Sequence, residues 1–485
     1  MTERKKSLKL NFIMNAILTM SAFIFPLITF PYVSRILLPE GTGKVSFATS
    51  NISYFLMLAQ LGIPTYGVRA CAKVRDNKLE LSRTAQELLI INMVMCGVSY
   101  TLLFLALAVV PRLRAEYTLY LVVSLTILFN SIGMEWLYKA LEEYTYITVR
   151  SIIFKFVALV AMFALVHAKS DYVIYGGITI LAASASNICN FLHAHKYIIM
   201  KPVGGYQFRH HLKAVAVFFA MACASTIYTH LDTVMLGFML TDKDVGYYNA
   251  AVRIKSILVS VVTSLGAVLL PRASYYVEHG QVKDFHRVSR KAINFVFLAA
   301  VPLSLYFILF ARQGIFFLSG EAYAGSILPM QIIMPTLLFI GLSNILGIQI
   351  LVPMGREKVV LYSEITGAVV DVICNAVLIP RYAAAGAAVS NLAAEASVLL
   401  VQFIALRREI IPAFRSVQYR KILLGLAAGG VVSFWVMGLN MGSFLVLVLS
   451  ACLFFGAYGT VLLVTREPLA AEIVGQVLGK VKKKR

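Results

Sequence analysis

The sequence predicts an all-α polytopic membrane protein with about fourteen transmembrane helices. Hydrophobic residues make up 59% of the 485 positions, and charged residues make up only 14%. Apolar runs repeatedly exceed the roughly 18 residues that separate a membrane span from a buried helix of a soluble protein. Lys and Arg gather in the short segments between these runs, as they do beside membrane spans. We therefore expect a helical bundle embedded in a bilayer.

The first apolar run follows a basic N-terminus and continues without a small-residue cleavage site, unlike a secretory signal peptide. We therefore predict that this run is the first span and that Pro26 and Pro31 bend it. The predicted spans are residues 10–34, 45–68, 86–110, 117–138, 148–167, 173–195, 212–240, 246–271, 291–312, 327–352, 359–379, 386–406, 421–440 and 444–465.

The distribution of positive charge predicts the orientation of the chain. With a cytoplasmic N-terminus, 33 of the 44 Lys and Arg residues lie on the cytoplasmic side and 8 lie on the opposite side. Because membrane proteins carry an excess of Lys and Arg on the cytoplasmic side, we place both termini in the cytoplasm. The same rule explains the net charge of +21 without a nucleic-acid partner. The six cysteines are dispersed, so neither a disulfide framework nor a zinc site is expected.

Two polar turns indicate an internal repeat. Gly43 and Gly246 each stand in a turn that ends an outward span and restarts an apolar helix, and residues 140–166 align with residues 353–379 without a gap. Two six-helix units of equal orientation imply a pseudo-two-fold axis along the membrane normal, as in transporters with parallel repeats. The predicted regions are an N-terminal lobe (1–205), a C-terminal lobe (206–410), and two extra helices that we expect to pack, with a basic tail (411–485).

Three acidic residues lie at one depth inside the predicted spans. At 1.5 Å per residue, Asp232, Asp371 and Glu395 lie about 12 to 14 Å from the outer ends of their helices. An asparagine stands one turn outward of each of the latter two, and such oxygens suit Na⁺ or a proton relay. The alternative is structural, with Asp232 paired to Arg253 of the next helix. The predicted ligands of the coupling cation are Asp232, Asp371, Asn375, Asn391 and Glu395.

Basic residues inside the spans predict a site for an anionic headgroup. Arg150 and Lys155 lie in the inner half of span five, and Arg253 and Lys255 lie in span eight. Arg and Lys at these positions suit a phosphate or diphosphate, which Arg can bind through two hydrogen bonds. The alternative, more fitting for Arg150 than for Lys155, is that these long side chains snorkel to the inner surface.

No motif for covalent chemistry is present in the sequence. GxxxxGK[ST], GxSxG and HExxH are all absent, and the histidines form no metal-binding pair, with His210 and His211 expected in a loop. We therefore predict a transporter rather than an enzyme, with no catalytic residues, no metal site and no cofactor apart from a coupling ion. The outer loops reach only about 14 residues, which argues against a membrane glycosyltransferase.

Several segments between residue 34 and about residue 395 carry a family resemblance. They read SRILLPEGTGKVSFA, EWLYKALEEYTYITVRSIIFKF, SDYVIYG, LDTVMLGFMLTDKDVGYYNAAVRI, GEAYAGSI and LIPRYAAAGAAVSNLAAE. These segments resemble the bacterial polysaccharide flippases (Wzx-type transporters of O-antigen or capsule repeat units) of the multidrug, oligosaccharidyl-lipid and polysaccharide exporter superfamily. The resemblance implies a fourteen-helix, two-lobed bundle that moves an undecaprenyl-diphosphate-linked oligosaccharide from the inner to the outer leaflet by alternating access.

The resemblance also bears on the ion site and on the cargo. Related flippases and drug antiporters hold a coupling cation with acids and amides on spans seven, eleven and twelve, where this chain has Asp232, Asp371 and Asn375. Lipid II flippases of the same superfamily favour Arg in span one. This chain has none between Asn11 and Ser34, which argues against a lipid II substrate.

The expected location is the bacterial cytoplasmic membrane. The expected partners are the lipid-linked oligosaccharide, membrane lipids, a glycan polymerase and other assembly proteins. Three alternatives stay open: a cation-coupled multidrug antiporter of the same superfamily, a membrane glycosyltransferase or ligase, and a structural scaffold for glycan assembly.

Overall fold

The computed structural model describes residues 8–472, which are all-helical: 88% is helix, and this part of the chain contains no strand. Backbone contacts divide the chain into two compact units, unit 1 (Met1–Gly246) and unit 2 (Tyr247–Arg485). The α-helices that lie within unit 1 are α1 (Leu8–Gln60), α2 (Ile63–Lys73), α3 (Lys78–Val109), α4 (Pro111–Arg114), α5 (Tyr117–Ile132), α6 (Glu135–Ala140), α7 (Tyr144–Leu165), α8 (Tyr172–Ile180), α9 (Asn187–His193) and α10 (Phe208–Met239).

One helix, α11 (Asp242–Glu278), begins in unit 1 and continues into unit 2. The remaining α-helices are α12 (Val282–Leu309), α13 (Ala311–Ser319), α14 (Ile327–Ile333), α15 (Thr336–Asn344), α16 (Glu357–Arg415), α17 (Tyr419–Phe434) and α18 (Ser443–Val464). Short 3-10 segments cover Lys169–Asp171, Ala194–Lys196, Glu321–Ser326 and Trp435–Gly438, and π-helical turns cover Leu181–Ala185 and Ile345–Leu351.

Ten helices in the described residues are long and apolar enough to cross a membrane, or up to eleven if the bent pair Glu321–Ile333 and Thr336–Leu351 forms one span. Many large apolar side chains on these helices point outward. Val109 is 68% exposed, Val431 is 77% exposed and Val464 is 76% exposed. Apolar surfaces of this extent suit contact with acyl chains rather than water. The chain is therefore a multi-pass membrane protein.

Two helices are far longer than one span, and each contains a non-helical residue. α1 has 53 residues, about 80 Å at 1.5 Å per residue, against a hydrocarbon core of about 30 Å. It breaks at Leu38 (φ 59°), directly before Pro39, whose ring disfavours helical conformation in the residue that precedes it. α16 has 59 residues and breaks at Ala383 (φ 50°). Gly386 then lies against the carbonyl oxygen of Leu378, where a Cβ would overlap, so the chain can turn back tightly.

The core of unit 1 lies where α2, α3, α6 and the start of α10 meet. Ile63, Leu88 and Leu137 are fully buried there. The Trp136 ring covers Gly67, where a Cβ would lie only 2.8 Å from a ring atom. Interiors packed this closely tolerate little change in volume, so this core holds the first turn of α10 in place.

In unit 2, α17 and α18 pack on each other through small residues. A Cβ on Gly425 would lie 2.8 Å from the Tyr458 ring, and a Cβ on Gly429 would lie 2.9 Å from the carbonyl oxygen of Phe454. Glycines of this kind let two membrane helices approach closely. α17 and α18 therefore form a packed pair.

Candidate functional site

Arg150 of α7 is buried inside unit 1, with 7% of its surface exposed. Its Nη2 lies 3.6 Å from Oε2 of Glu135, and its Nη1 donates a hydrogen bond of 3.1 Å to the carbonyl oxygen of Ser186. The guanidinium is thus enclosed by protein rather than extended to a surface, as a snorkelling side chain would be. Its Nε has no hydrogen-bond partner within residues 8–472. Arg150 therefore retains one donor while Glu135 balances its charge.

Lys155 is the twelfth of the 22 residues of α7, at the middle of that helix, and is half-buried. Its Nζ donates a hydrogen bond of 2.7 Å to Oγ of Ser21 in α1. No carboxylate forms an ion pair with Lys155 in the part of the chain that the structure describes. A hydroxyl accepts a hydrogen bond but carries no charge, so the ammonium is solvated without being neutralised.

Asp232 lies in α10 of unit 1 and is 4% exposed. One turn further on, Gly237 lies against the Phe47 ring of α1, where a Cβ would overlap the ring. His230 points elsewhere, and its Nδ1 lies 3.3 Å from Oγ of Ser50. A carboxylate buried at the level of a membrane helix is costly unless it is compensated, so its presence marks a functional candidate.

Lys255 of α11 and Asn391 of α16 contact each other in unit 2. The Nζ of Lys255 donates a hydrogen bond of 3.0 Å to Oδ1 of Asn391. The sequence assigned the first residue to an anion site and the second to a cation site. Because the amide oxygen of Asn391 already accepts a hydrogen bond from a positive charge, a cation that binds there would lie beside the Lys255 ammonium. Arg253, two residues earlier in α11, is half-buried.

The register of α16 brings its acids to one level. Nε2 of Gln402 donates a hydrogen bond of 3.0 Å to Oγ of Ser363, so the two halves of the helix run antiparallel on either side of Ala383. Asp371 lies eight residues after Ser363, and Glu395 lies seven residues before Gln402. Because the two halves are antiparallel, Asp371 and Glu395 lie at the same depth. The buried carboxylate and asparagine side chains in this hairpin are Asp371, Asn375, Asn391 and Glu395, each at most 6% exposed.

Carboxylate and amide oxygens of this kind suit a hard monovalent cation or a proton. In unit 2, Asp371, Asn375, Asn391 and Glu395 carry such oxygens, and that of Asn391 accepts a hydrogen bond from Lys255. The fifth predicted ligand, Asp232, belongs to unit 1. The hairpin thus assembles four of the five predicted ligands at similar depths.

A buried polar network that the sequence did not reveal joins α2, α3 and α10. Nε2 of His211 lies 2.7 Å from Oε2 of Glu87, and Nδ1 of His211 lies 2.8 Å from the hydroxyl of Tyr66. Oε1 of Glu87 also accepts a hydrogen bond from the backbone N–H of Gln207. The sequence placed His211 in a loop, whereas α10 begins at Phe208. One feature of the sequence could have indicated this network, namely Glu87, an acid in the predicted third span.

The two glycines that marked the repeat come together at one end of unit 1. A Cβ on Gly43 would overlap the carbonyl oxygen of Asp242, and a Cβ on Gly246 would overlap that of Pro39. Nη2 of Arg112 lies 2.6 Å from Oδ1 of Asp242. Burial raises the pKa of Asp242 above its ordinary value, and the neighbouring Arg112 opposes this shift.

Comparisons with known proteins agree with this architecture. Residues 8–277 match the family described as polysaccharide biosynthesis protein, and residues 217–377 match the MatE family. A protein of Escherichia coli (strain K12) is 25% identical over 408 residues, which cover 83% of this chain and 98% of that protein. A protein of Shigella dysenteriae is 23% identical over 409 residues, which cover 82% of this chain and 98% of that protein. Both are named "Putative O-antigen transporter".

A solved structure shares the fold. The lipid II flippase MurJ, in its inward closed conformation, aligns with a TM-score of 0.70 over 94% of this chain and 99% of its own length, at 14% identity. The family match covers more than half of the chain and confirms the resemblance seen in the sequence. The chain belongs to the polysaccharide biosynthesis protein family, within the multidrug, oligosaccharidyl-lipid and polysaccharide exporter superfamily.

Proposed function

We propose that this protein is a flippase that moves an undecaprenyl-diphosphate-linked oligosaccharide repeat unit from the cytoplasmic to the periplasmic leaflet. Family membership and the names of the two O-antigen transporter relatives support the class of cargo. The observation that carries the proposal is Lys155, a cation at the middle of a membrane helix whose hydrogen-bond partner is the uncharged Ser21 hydroxyl.

A basic side chain at the centre of a span costs about 2.5 to 3.5 kcal/mol on insertion scales. A structural role would supply an acid to offset that cost, as Glu135 does for Arg150 at 3.6 Å. Lys155 forms no ion pair of this kind among residues 8–472, and an anionic ligand would provide one. A diphosphate carries enough charge for Lys155 and for the remaining donor of Arg150.

The proposed topology has fourteen spans with both termini in the cytoplasm of a bacterial inner membrane. The unbroken apolar helices account for most of this number, and α1 and α16 each supply two spans because a bend divides them. The bent pair from Glu321 to Leu351 and α11 complete the count. The proposed lobes keep the bounds of the sequence repeat, 1–205 and 206–410, followed by a pair of extra helices.

We further propose that transport proceeds by alternating access of these lobes and is coupled to Na⁺ or H⁺. The antiparallel halves of α16 place Asp371 and Glu395 at one depth, which supports a shared ion site. Displacement of Lys255 from Asn391 would accompany cation binding. No covalent step is required, since flipping changes only the leaflet of the cargo, and a glycan polymerase is the expected downstream partner.

The proposal is tested with purified protein in proteoliposomes that contain a fluorescent undecaprenyl-diphosphate oligosaccharide and an impermeant quencher. Lys155→Met should lower the initial flipping rate about tenfold or more, since a hydrogen bond to a charged group contributes about 1.5–3 kcal/mol. Lys155→Arg should retain part of the rate. Lys196→Met removes an exposed lysine from the same unit and should leave the rate unchanged. Unimpaired flipping by Lys155→Met would refute the headgroup role.

The match of residues 217–377 to the MatE family supports one alternative, a cation-coupled drug antiporter. Deletion of the gene separates the two functions, because a flippase mutant loses surface polysaccharide whereas an antiporter mutant gains drug sensitivity. Sugar transfer by the purified protein would instead favour a glycosyltransferase. A structural scaffold would keep its function both after Lys155→Met and after the loss of the buried acids.

A further inference from the structure

We propose that unit 2 contains a phosphate-binding site for anionic lipid at the end that the charge distribution assigns to the cytoplasm. A cavity of about 530 Å³ lies between the first turns of α12 and the end of α16. Its wall carries Lys283, His286, Arg290 and Arg408. None of these residues belongs to the predicted headgroup site, and the proposal stands independently of the flippase function.

The cavity carries excess positive charge. Within residues 8–472, Lys283, Arg290 and Arg408 form no ion pair with any acid. The acid of the wall, Glu409, lies 3.6 Å from Nη1 of Arg356, so its charge is already balanced. A basic pocket between helices at the cytoplasmic side is the arrangement that binds anionic lipid headgroups, and Arg is well suited to phosphate.

Two other arginines on the same helices lie outside the cavity. Arg287 of α12 is exposed and forms a 2.6 Å ion pair with Asp284, and it does not line the cavity. Arg415, at the end of α16, is also exposed and outside the cavity. Lys283, Arg290 and Arg408 are exposed as well, so what distinguishes them is that they line the cavity. Arg287 and Arg415 provide matched controls.

Exposed apolar side chains adjoin the cavity and indicate that the phosphate belongs to an amphiphile. Val282, directly before Lys283, is 59% exposed, and Ile404, one turn before Arg408, is 55% exposed. Leu400 continues this row at 57%. Acyl chains would lie against these side chains while the headgroup reaches the cations, an arrangement that combines apolar burial with charge attraction.

The corresponding turns of a helix in unit 1 are occupied by the chain itself. Nε of Arg83 in α3 donates a hydrogen bond of 3.2 Å to the carbonyl oxygen of Gly204. Nε2 of Gln86 donates one of 2.9 Å to that of Lys201, and Oε1 of Gln86 accepts one of 3.1 Å from the N–H of Val203. In unit 2, Lys283, Arg290 and Arg408 donate no hydrogen bond to a backbone carbonyl within residues 8–472. Phosphate oxygens of a bound lipid would accept hydrogen bonds from these cations instead.

The test compares lipid binding to the full-length protein by native mass spectrometry after extraction into a neutral detergent. The probes are dioleoyl phosphatidylglycerol, dioleoyl phosphatidylcholine and inorganic diphosphate. We expect preferential retention of phosphatidylglycerol over phosphatidylcholine. Arg290→Gln/Arg408→Gln should weaken phosphatidylglycerol binding about thirtyfold, since each basic group near a membrane surface contributes about 1 kcal/mol.

The control variant Arg287→Gln/Arg415→Gln removes the same number of charges from the same two helices and should bind as the wild type does. Equal weakening by both double variants, or no preference for phosphatidylglycerol, would overturn the proposal. If diphosphate competes with phosphatidylglycerol, the site binds phosphate from either source; if it does not, the acyl chains are required and the site is specific for lipid. Matching thermal midpoints in phosphatidylcholine confirm that both variants fold.

Discussion

The Nζ of Lys255 donates a 3.0 Å hydrogen bond to Oδ1 of Asn391 and so joins the two kinds of site that the sequence predicted separately. One residue belongs to a set of cations expected to meet an anionic headgroup, and the other belongs to a set of oxygens expected to hold a cation. With the ammonium on the amide, Lys255 brings a positive charge to the helix that contains Asp371 and Glu395. We therefore expect the proposed coupling ion to compete with Lys255 for Asn391.

Removing the lysine should strengthen ion binding. Lys255→Met should lower the Na⁺ or H⁺ concentration for half-maximal transport about tenfold, because the competing charged hydrogen bond, about 1.5–3 kcal/mol, is lost. Flipping rates measured across an ion titration in proteoliposomes test this prediction. Ser256→Ala is the control, since within residues 8–472 its Oγ bonds to the carbonyl oxygen of Val252 in α11 itself. An unchanged ion dependence in Lys255→Met would exclude the competition.

The glycine contact at one end of unit 1 predicts an asymmetric response to alanine. Gly246→Ala should lower the free energy of unfolding by about 1–3 kcal/mol, because the new methyl overlaps the carbonyl oxygen of Pro39. Gly97→Ala, in the interior of α3 with open space around it, should raise stability by about 0.5–1 kcal/mol. Thermal unfolding in detergent measures both. A similar change in the two variants would contradict the close approach.

Asp242 predicts a pH dependence of stability. Its folded pKa lies above the ordinary 3.8, so the folded state binds the proton more tightly than the unfolded state does. This stabilisation is complete below pH 3.8 and is lost as the pH rises through the raised pKa. Arg112→Leu removes the attraction that opposes the shift and should extend the loss to higher pH. Thermal midpoints between pH 4 and 7 test this, and Arg112→Leu/Asp242→Asn should flatten the profile.

The network of Glu87, His211 and Tyr66 predicts graded losses of stability. Glu87→Ala leaves the imidazole and the N–H of Gln207 without their acceptor and should cost about 3 kcal/mol. Tyr66→Phe removes one hydrogen bond and should cost about 1 kcal/mol. Glu80→Ala, on the exposed first turn of α3, should change stability by less than about 0.5 kcal/mol. Denaturation that ranks Glu80→Ala with Glu87→Ala would contradict this assignment.

Much of the candidate site could be found from the sequence, because a charge inside an apolar run is visible without coordinates. Lys155, Asp371 and Glu395 were identified in this way, and depth along a helix follows from residue number. The family was also recognisable, through short segments such as the turn around Gly43. The ends of the helices were harder to predict from the sequence. Residues 35–44 and 380–385 were predicted to be loops, whereas the structure keeps them helical apart from Leu38 and Ala383.

Partners across helices were not accessible from the sequence. Arg150 was expected to reach a surface or a ligand, and it lies 3.6 Å from Glu135, fifteen residues earlier in the chain. His211 was assigned to a loop, and it bonds to Glu87, 124 residues away. Each contact depends on the rotation of a helix about its axis and on the helix against which it packs. A hydropathy average over a stretch of sequence does not depend on how the helix is rotated, so it cannot predict which side chains meet across helices.

By itself the sequence determined that this chain spans a membrane, that its positive charge gathers in the short segments between apolar runs, and which ionisable residues lie within those runs. These properties follow from the thickness of the bilayer and the cost of burying charge, which act on each segment separately. The tertiary structure decided that Lys255 bonds to Asn391, that Lys155 bonds to the hydroxyl of Ser21, and that basic residues of α12 and α16 line a cavity. Such relationships arise only when helices distant in sequence pack at one defined rotation and register.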